Sequence, residues 1–254
     1  MKDCLDSLEA FEIIELKETA STNDFLRQKF FSSEKKEFIV AVTSFQTAGK
    51  GQKGNHWESE EGKNLLFSIC IFPHFLKANR QFTLSKIITL AIKETLDSFV
   101  PDVTIKWPND IYCGNKKICG ILIENDLSGK CLERSVLGCG VNLNQVIFHS
   151  DAPNPVSLIQ LTQKSVSPSD VLYQILKYFE RNYRMLQKGL YLPIDERYKQ
   201  ALYRREGFYS YCDQNGFFKA RLLDVDPDGR LMLCDDGGTV RRYGFKEVQF
   251  IINA

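Results

Sequence analysis

The sequence predicts an α+β protein, with a mixed sheet flanked by helices and a small SH3-like barrel at its C-terminal end. Two observations support this. Up to about residue 206, short apolar runs typical of strands are interspersed with long amphipathic helical patterns. From Gly207 onward the chain contains short alternating strands separated by tight turns. We therefore expect two domains, one at residues 1–206 and one at residues 207–254.

The first part of the chain contains strand and helix patterns in a clear order. Apolar runs predict strands at 11–16, 38–45 and 64–72. Ser21, Thr22 and Asn23 offer three capping side chains at the start of a helix. A broad apolar face predicts a helix at 80–99, with Asn79 as a candidate cap. These elements would form half of the sheet and one of its covering helices.

The remaining elements follow the same logic. Two short strands flank the turn Trp107-Pro-Asn-Asp110, and apolar strands follow, one ending at Glu124 and one at 134–144. Helices are predicted at 157–161, 169–189 and 194–205, with Ser169 or Asp170 capping the longest. The C-terminal strands are predicted at 217–225, 230–234, 239–243 and 248–252. The spacing of their turns favours the small barrel.

Composition excludes several classes of protein. A formal net charge of +1 provides no general field that would recruit nucleic acid or an anionic membrane. No apolar run is long enough to span a membrane, and the N-terminal residues lack a signal-peptide pattern, so we expect a cytoplasmic protein. The eight cysteines form no Cys-x-x-Cys pair and the three histidines are scattered. This pattern favours free thiols over a zinc site.

A glycine-rich loop between two predicted strands is the most informative stretch. Gly49, Gly51 and Gly54 have the spacing of a dinucleotide fingerprint, but no helical pattern follows them. A P-loop is excluded because Gly54 is followed by Asn55 rather than by lysine. Glycines and lysines in a loop suit a phosphate-bearing ligand. An ordinary hairpin loop with solvated lysines is the alternative.

Three further positions allow a functional or a structural interpretation. The hydroxyls before the first helix could bind a polar ligand, or one of them could simply cap the helix. Lys116 and Lys117 precede a buried strand, where a lysine could face a carboxylate or a phosphate, or could be an ordinary turn charge. Gly138 and Gly140 share one face of a strand with Asn142, which leaves room either for a flat ligand or for a packed helix.

Four segments together resemble the biotin protein ligases. They are Ser21-Thr-Asn23, the stretch from Gln46 to Trp57 (QTAGKGQKGNHW), Lys106-Trp-Pro-Asn-Asp110 with Lys117-Ile-Cys-Gly120, and Gly138-Cys-Gly-Val-Asn142. The resemblance implies the catalytic fold shared by biotin and lipoyl ligases. It also implies a two-step reaction. The biotin carboxylate attacks the α-phosphate of ATP, and a lysine of a carrier domain of acetyl-CoA carboxylase or a related carboxylase then takes the biotinyl group.

The resemblance also implies roles for individual residues. Lys117 would be the main electrostatic catalyst, between the biotin carboxylate and the α-phosphate. Biotin would be bound by Ser21, Thr22, Asn23, Gln46, Gly49, Lys50, Gly51, Gln52, Lys117, Gly120, Gly138 and Gly140. ATP would be bound by Lys50, Lys53, Trp57, Lys117 and Asn142. Mg²⁺ would accompany the phosphates, with Asn109 and Asp110 as candidates for organising metal or phosphate.

The sequence departs from the family pattern in the glycine-rich loop. Many members have several arginines there, whereas this chain has Lys50, Gln52, Lys53 and Asn55, so bidentate phosphate binding by arginine is absent. We expect a monofunctional ligase, because about 20 residues before Ser21 are too few for a DNA-binding domain of a biotin-responsive repressor. A lipoyl or octanoyl transferase of the same fold is the other alternative. Whether the chain forms a homodimer is left open.

Overall fold

The computed structural model describes residues 8–29, 36–150 and 154–252. Cys4, one of the predicted free thiols, and the side chain of Lys53 lie outside the described parts. The seven cysteines within these ranges are all free thiols. None of the described helices is long and apolar enough to cross a membrane.

A seven-stranded sheet forms the larger part of the protein. Its strand order is β1-β2-β3-β7-β6-β5-β4, with β1 parallel to β2 and all the other neighbours antiparallel. The predicted mixed sheet is therefore confirmed. The strands are β1 (Phe11–Thr19), β2 (Phe38–Gln46), β3 (Leu65–Ile71), β4 (Val103–Lys106), β5 (Asp110–Cys113), β6 (Lys116–Ser128) and β7 (Cys131–Val141).

Helices cover both faces of this sheet. They are α1 (Thr22–Gln28), α2 (Phe82–Leu96), α3 (Leu158–Thr162), α4 (Pro168–Gln187) and α5 (Tyr191–Gln200). The main apolar core lies on the face covered by α2 and α4. On the opposite face Leu26 of α1 packs against a smaller cluster that includes Ile39, Cys70 and Val136. Because side chains alternate along a strand, Gly138 and Gly140 share the face of Val136.

Two predicted helix caps are wrong. Asn79 lies in a short 3₁₀ turn (Ala78–Arg80), and α2 begins after Gln81 with no capping side chain. At α4 the cap is Ser167, whose Oγ accepts a hydrogen bond from the backbone N–H of Asp170, instead of Ser169 or Asp170. The reason is Pro168, whose fixed φ and missing N–H suit the first helical position and so move the start one residue earlier than expected.

The C-terminal residues form a second, antiparallel sheet of five strands in the order β11-β10-β9-β8-β12, consistent with the SH3-like prediction. The strands are β8 (Tyr209–Asp213), β9 (Gly216–Val225), β10 (Leu231–Asp235), β11 (Val240–Tyr243) and β12 (Gln249–Phe250). The sheet contacts the larger part through Trp107, whose Nε1 donates a hydrogen bond of 2.9 Å to the carbonyl of Gly229. The division at residues 206 and 207 stays a prediction.

Candidate active site

A cavity of about 720 Å³ lies on the α1 face of the seven-stranded sheet. It brings together most of the residues that the sequence analysis selected from all four segments. Those lining it are Ser21, Thr22, Asn23, Gln46, Lys50, Gly51, Gln52, Trp57, Asn109, Asp110, Lys117, Gly120, Gly138, Gly140 and Asn142. Gly49 is not among the lining residues. It packs instead against the backbone of Trp57, whose oxygen would lie 2.7 Å from a Cβ at this position.

The start of α1 forms one polar part of the cavity. The backbone N–H and the Oγ1 of Thr22 both donate to Gln46 Oε1, at 2.8 and 3.1 Å. Ser68 Oγ lies 2.7 Å from Thr22 Oγ1 and 2.6 Å from Asn23 Oδ1. Ser21 caps the helix, its Oγ lying 3.5 Å from the N–H of Asp24. One residue of the triplet is therefore a cap, and the other two belong to a buried polar network.

The glycines of β6 and β7 lie against protein side chains. For Gly138 and Gly140 the sequence had left a flat ligand and a packed helix as alternatives. A Cβ at Gly138 would lie 2.2 Å from Asn23 Oδ1. A Cβ at Gly140 or Gly120 would lie 2.4 or 2.7 Å from the ring of Trp57. The three glycines do line the cavity. Their missing side chains let Asn23 and Trp57 lie directly on the backbone of the sheet, so any ligand lies against these two side chains.

Two buried polar atoms in the cavity have no hydrogen-bond partner among the described residues. They are Nε1 of Trp57, a donor, and Oδ1 of Asn142, an acceptor. The amide nitrogen of Asn142 donates to the carbonyl of Val156 at 3.1 Å, which leaves the oxygen as its unsatisfied atom. Buried polar groups are normally hydrogen-bonded because leaving them unpaired is costly. Both atoms are covered by the protein itself, and the Trp57 nitrogen lies against β7, 2.5 Å from the position of a Cβ at Gly140.

Lys117, at the start of β6, is one of the positively charged residues that line the cavity. Its Nζ lies 2.7 Å from Asp110 Oδ1 and 5.7 Å from the centre of the Trp57 ring, and a quarter of its side chain is exposed. The neighbouring Lys116 is exposed. The two lysines, which local pattern alone did not distinguish and of which the resemblance selected Lys117, are separated by the pleat of the strand, and of the two only Lys117 lines the cavity.

Burial also perturbs Lys106, the first residue of the Trp-Pro-Asn-Asp turn segment. Desolvation, together with the nearby charge of Lys117, lowers the pKa of Lys106, and Asp110 opposes this shift. Its Nζ lies over the rings of Tyr112 and Phe250, at 5.2 and 5.0 Å from their centres. The carboxylate of Asp110 therefore lies near two ammonium groups, those of Lys117 and Lys106.

The glycine-rich loop folds back as a small hairpin. Trp57 N–H donates to the Gly49 carbonyl at 2.9 Å, and Gly51 N–H donates to the Asn55 carbonyl at 2.7 Å. A 3₁₀ turn (Gln52–Gly54) forms its tip, so no α-helix follows the glycines. Lys50 Nζ lies 2.7 Å from the carboxylate of Asp24 on α1. This ion pair holds the loop next to the polar network.

The structure gives no independent support for a metal site at Asn109 and Asp110. Among the described residues no three His, Cys, Asp or Glu side chains form a cluster that could hold a metal ion. Asn109 Nδ2 donates to the carbonyl of Ile121, and Asp110 is paired with Lys117. A metal ion here would share the only carboxylate with the lysine. These two metal candidates stay a prediction.

Among the lining residues that sequence reasoning missed, two are charged, Glu58 and Lys246. Glu58 accepts hydrogen bonds from the backbone N–H groups of His149 and Ser150, at 2.8 and 2.7 Å. Burial acts to raise the pKa of Glu58, but these bonds outweigh it, so the pKa is lowered. Lys246 lines the cavity from the second sheet. Neither lies in a recognisable motif, because each reaches the site through contacts distant in sequence.

Comparisons with known proteins place these observations in a family. The model of the biotin/lipoate A/B protein ligase family matches residues 15–142, which is half of the chain and contains nearly all of the candidate site residues. The chain belongs to this family. The match ends at Asn142.

Several members are similar over most of the chain. The bifunctional ligase/repressor BirA of Bacillus subtilis (strain 168) is 28% identical over 214 residues, which cover 82% of this chain and 65% of that protein. This chain thus spans less than two thirds of the length of that relative. The biotin--[acetyl-CoA-carboxylase] ligase of Mycobacterium tuberculosis is 27% identical and covers 88% of this chain and 83% of that protein.

Solved structures of the family share the fold. The biotin protein ligase from Aquifex aeolicus in complex with biotin and ATP superposes with a TM-score of 0.78, covering 94% of this chain and 99% of the other. Its sequence identity of 23% limits this comparison to the fold. The superposed length includes both sheets, so the prediction of the ligase fold is confirmed over nearly the whole chain.

Proposed function

We propose that this protein is a biotin protein ligase that activates biotin with ATP to biotinyl-5′-adenylate and transfers the biotinyl group to a lysine of a carrier domain. One observation carries the proposal. Four sequence segments, distant along the chain, line one cavity together with the ammonium group of Lys117, which is paired with Asp110, and the polar network at the start of α1. The similar proteins named as biotin ligases support it.

In the proposed first step an oxygen of the biotin carboxylate attacks the α-phosphorus of ATP. A new bond forms between that oxygen and phosphorus, and the bond to the leaving pyrophosphate breaks. Two anions must approach each other, so the step needs fixed positive charge where negative charge accumulates. Lys117 supplies it, and Asp110 orients the ammonium group through their 2.7 Å contact. The reaction then depends on charge and position more than on covalent participation of the protein.

In the second step a neutral lysine amine of the carrier attacks the acyl carbon of the mixed anhydride. The amide bond forms, the bond to the phosphate oxygen breaks, AMP leaves with its electron pair, and the amine nitrogen releases one proton to solvent. Lys117 again stabilises the leaving phosphate. We propose the biotin carboxyl carrier domain of acetyl-CoA carboxylase or a related carboxylase as the acceptor, by analogy with the named function of the Mycobacterium relative. The free thiols support a cytoplasmic setting.

Binding roles follow from the positions of the side chains. Thr22, Asn23 and Gln46 form a network of hydrogen-bond acceptors and donors suited to the head group of biotin, next to Ser21. We assign the nucleotide to the part of the cavity lined by Trp57 and Asn142. Lys50, Gly51 and Gln52 are close enough to cover the substrates when the loop closes. Gly49 and Lys53 belong to the same loop.

Mg²⁺ would enter with ATP and neutralise part of the phosphate charge. The residues near Lys117 suit an ion that keeps water and phosphate oxygens as ligands, because they supply one carboxylate, Asp110, and the amide oxygen of Asn109. A site built entirely from protein ligands would need more oxygens than the described residues provide. The domain boundary at residues 206 and 207 forms part of the proposal as well.

The decisive experiment compares biotin with lipoate. The purified protein is incubated with ATP, Mg²⁺, an isolated carrier domain and one of the two acids, and the mass of the carrier and the released pyrophosphate are measured. We expect a biotinyl addition and biotin-dependent pyrophosphate release. A lipoyl addition, with none from biotin, would assign the chain to the lipoate branch of the family. No addition and no pyrophosphate with either acid would refute ligase activity.

A further inference from the structure

Glu124 of β6 lies beneath the polar network and contacts one of its members. Its Oε2 accepts a hydrogen bond of 2.8 Å from the side-chain nitrogen of Asn23. The same nitrogen lies 3.3 Å from the carbonyl of Leu122. An ionised carboxylate and a carbonyl only accept hydrogen bonds, so both partners require the NH₂ group of Asn23 on this side. The amide oxygen is therefore held on the opposite side.

The oxygen of that amide points toward β3 and β7 next to the cavity. Asn23 Oδ1 lies 2.6 Å from Ser68 Oγ and 2.2 Å from the position of a Cβ at Gly138. Within the described residues, Ser68 is the one hydrogen-bond donor to this oxygen. An amide oxygen has two lone pairs, so Asn23 retains one acceptor position. The network thus offers an acceptor where a reversed amide would offer two donors.

Arg27 binds the oxygen of the Glu124 carboxylate that Asn23 does not use. Arg27 Nη1 donates to Glu124 Oε1 at 2.6 Å and Nη2 donates to Asp126 Oδ1 at 3.1 Å. A guanidinium group has no acceptor, so it always demands an oxygen from position 124. A carboxylate has two equivalent oxygens and satisfies Arg27 and Asn23 together. A neutral amide at position 124 has one oxygen and satisfies only one of them in the native orientation.

From this geometry we infer that Glu124 is a positioning residue that holds the Asn23 amide with its oxygen on the side of β3 and β7, next to the cavity, and so selects ligands that present N–H donors. The cyclic urea of biotin has this chemistry, so the inference rests on the proposed function and deepens it. Glu124 contacts no ligand itself in this assignment. It acts through Asn23.

A four-protein cycle tests the inference: wild type, Arg27→Met, Glu124→Gln and the double variant. In Glu124→Gln the amide oxygen turns to Arg27, its NH₂ group turns to Asn23, and the Asn23 amide reverses. Biotin affinity by calorimetry without ATP is then expected to fall about 10-fold or more, since a donor faces a donor. Arg27→Met leaves Glu124 an acceptor, so affinity stays within about 3-fold. In the double variant the glutamine oxygen is free to return to Asn23, and affinity recovers to that of Arg27→Met.

Two controls separate positioning from general damage. Asp126→Asn neutralises the other carboxylate that Arg27 contacts, which also pairs with Arg134, without touching Asn23. Biotin affinity should therefore stay within about 2-fold, as expected for partly exposed ion pairs. The KM for ATP and the thermal midpoint should be alike in all variants. Wild-type affinity in Glu124→Gln, or an equally weak double variant, would overturn the inference. Failure of the wild type to bind biotin would instead overturn the proposed function.

Discussion

Replacing Lys117 by alanine tests the electrostatic core of the proposed mechanism. An ammonium group about 4 Å from a phosphate contributes about 4 kcal/mol when the effective dielectric constant is about 20. A quarter of the Lys117 side chain is exposed, so water screens part of this interaction. The loss of one preorganised charge-stabilising group typically slows the chemical step by about 10² to 10³. We expect adenylate formation to slow by at least about 10²-fold.

The partner of Lys117 adds a second effect that can be separated. In Lys117→Ala the carboxylate of Asp110 loses its 2.7 Å counter-ion and faces the incoming anions. Removing one member of a partly buried pair is costly because the other charge is left uncompensated. The double variant Lys117→Ala/Asp110→Asn is therefore expected to recover part of the rate, while Asp110→Asn alone retains the ammonium charge and loses less.

The assay is single-turnover release of pyrophosphate at saturating biotin and ATP, with no carrier present. It reports the first step alone and does not depend on product release. A rate for Lys117→Ala within about 3-fold of the wild type would refute the assigned role, because the charge would then contribute less than about 1 kcal/mol. A double variant slower than Lys117→Ala would contradict the account of Asp110.

Three further perturbations address the neighbouring parts of the site. Gly138→Ala would place a Cβ 2.2 Å from Asn23 Oδ1, so we expect the free energy of unfolding in urea to fall by about 1–3 kcal/mol. An unchanged midpoint of urea unfolding would contradict that packing. ATP is expected to change tryptophan emission in the wild type but not in Trp57→Phe, since the other tryptophan, Trp107, is buried and does not itself line the cavity. A change that persists in Trp57→Phe would disprove this. Asp24→Asn removes the ion pair of Lys50, a surface contact of about 0–1 kcal/mol, so tryptic cleavage after Lys50 in the free protein should rise by up to about 5-fold, and slower cleavage would argue against the tie.

Local patterns predicted most strands and helices, because alternation and helical periodicity record which residues face a core. The strand 216–225 and the long helix 168–187 were found within one or two residues of their observed limits. Strand β8 was missed. Its first residues, Tyr209 and Ser210, are both exposed, and only Tyr211 is fully buried. A short strand with one buried residue carries no alternation that a pattern could reveal.

The sequence predicted which residues line the candidate site better than it predicted which of them contact each other. The four segments do meet in one cavity, and the sequence correctly favoured Lys117 as a lining residue. It could not indicate that Gly138 makes room for Asn23, or that Trp57 lies over Gly140, because these pairs are about 80 to 115 residues apart and are formed by the register of the sheet. Long-range register is set by the fold as a whole and leaves no local signal.

The hydrogen bond from the Trp107 indole to the Gly229 carbonyl connects the larger part of the protein to the C-terminal sheet, so removing that sheet would affect Trp107. Ending the chain at residue 206 would remove both the carbonyl that accepts from this indole and the ring of Phe245, 5.6 Å away, and would expose the Trp107 ring to water. The cost is the lost burial of a large aromatic side chain, because water can replace the hydrogen bond. The exposed ring lies two residues before Asn109, so a truncated chain is expected to lose order in the Trp-Pro-Asn-Asp turn before it loses its fold.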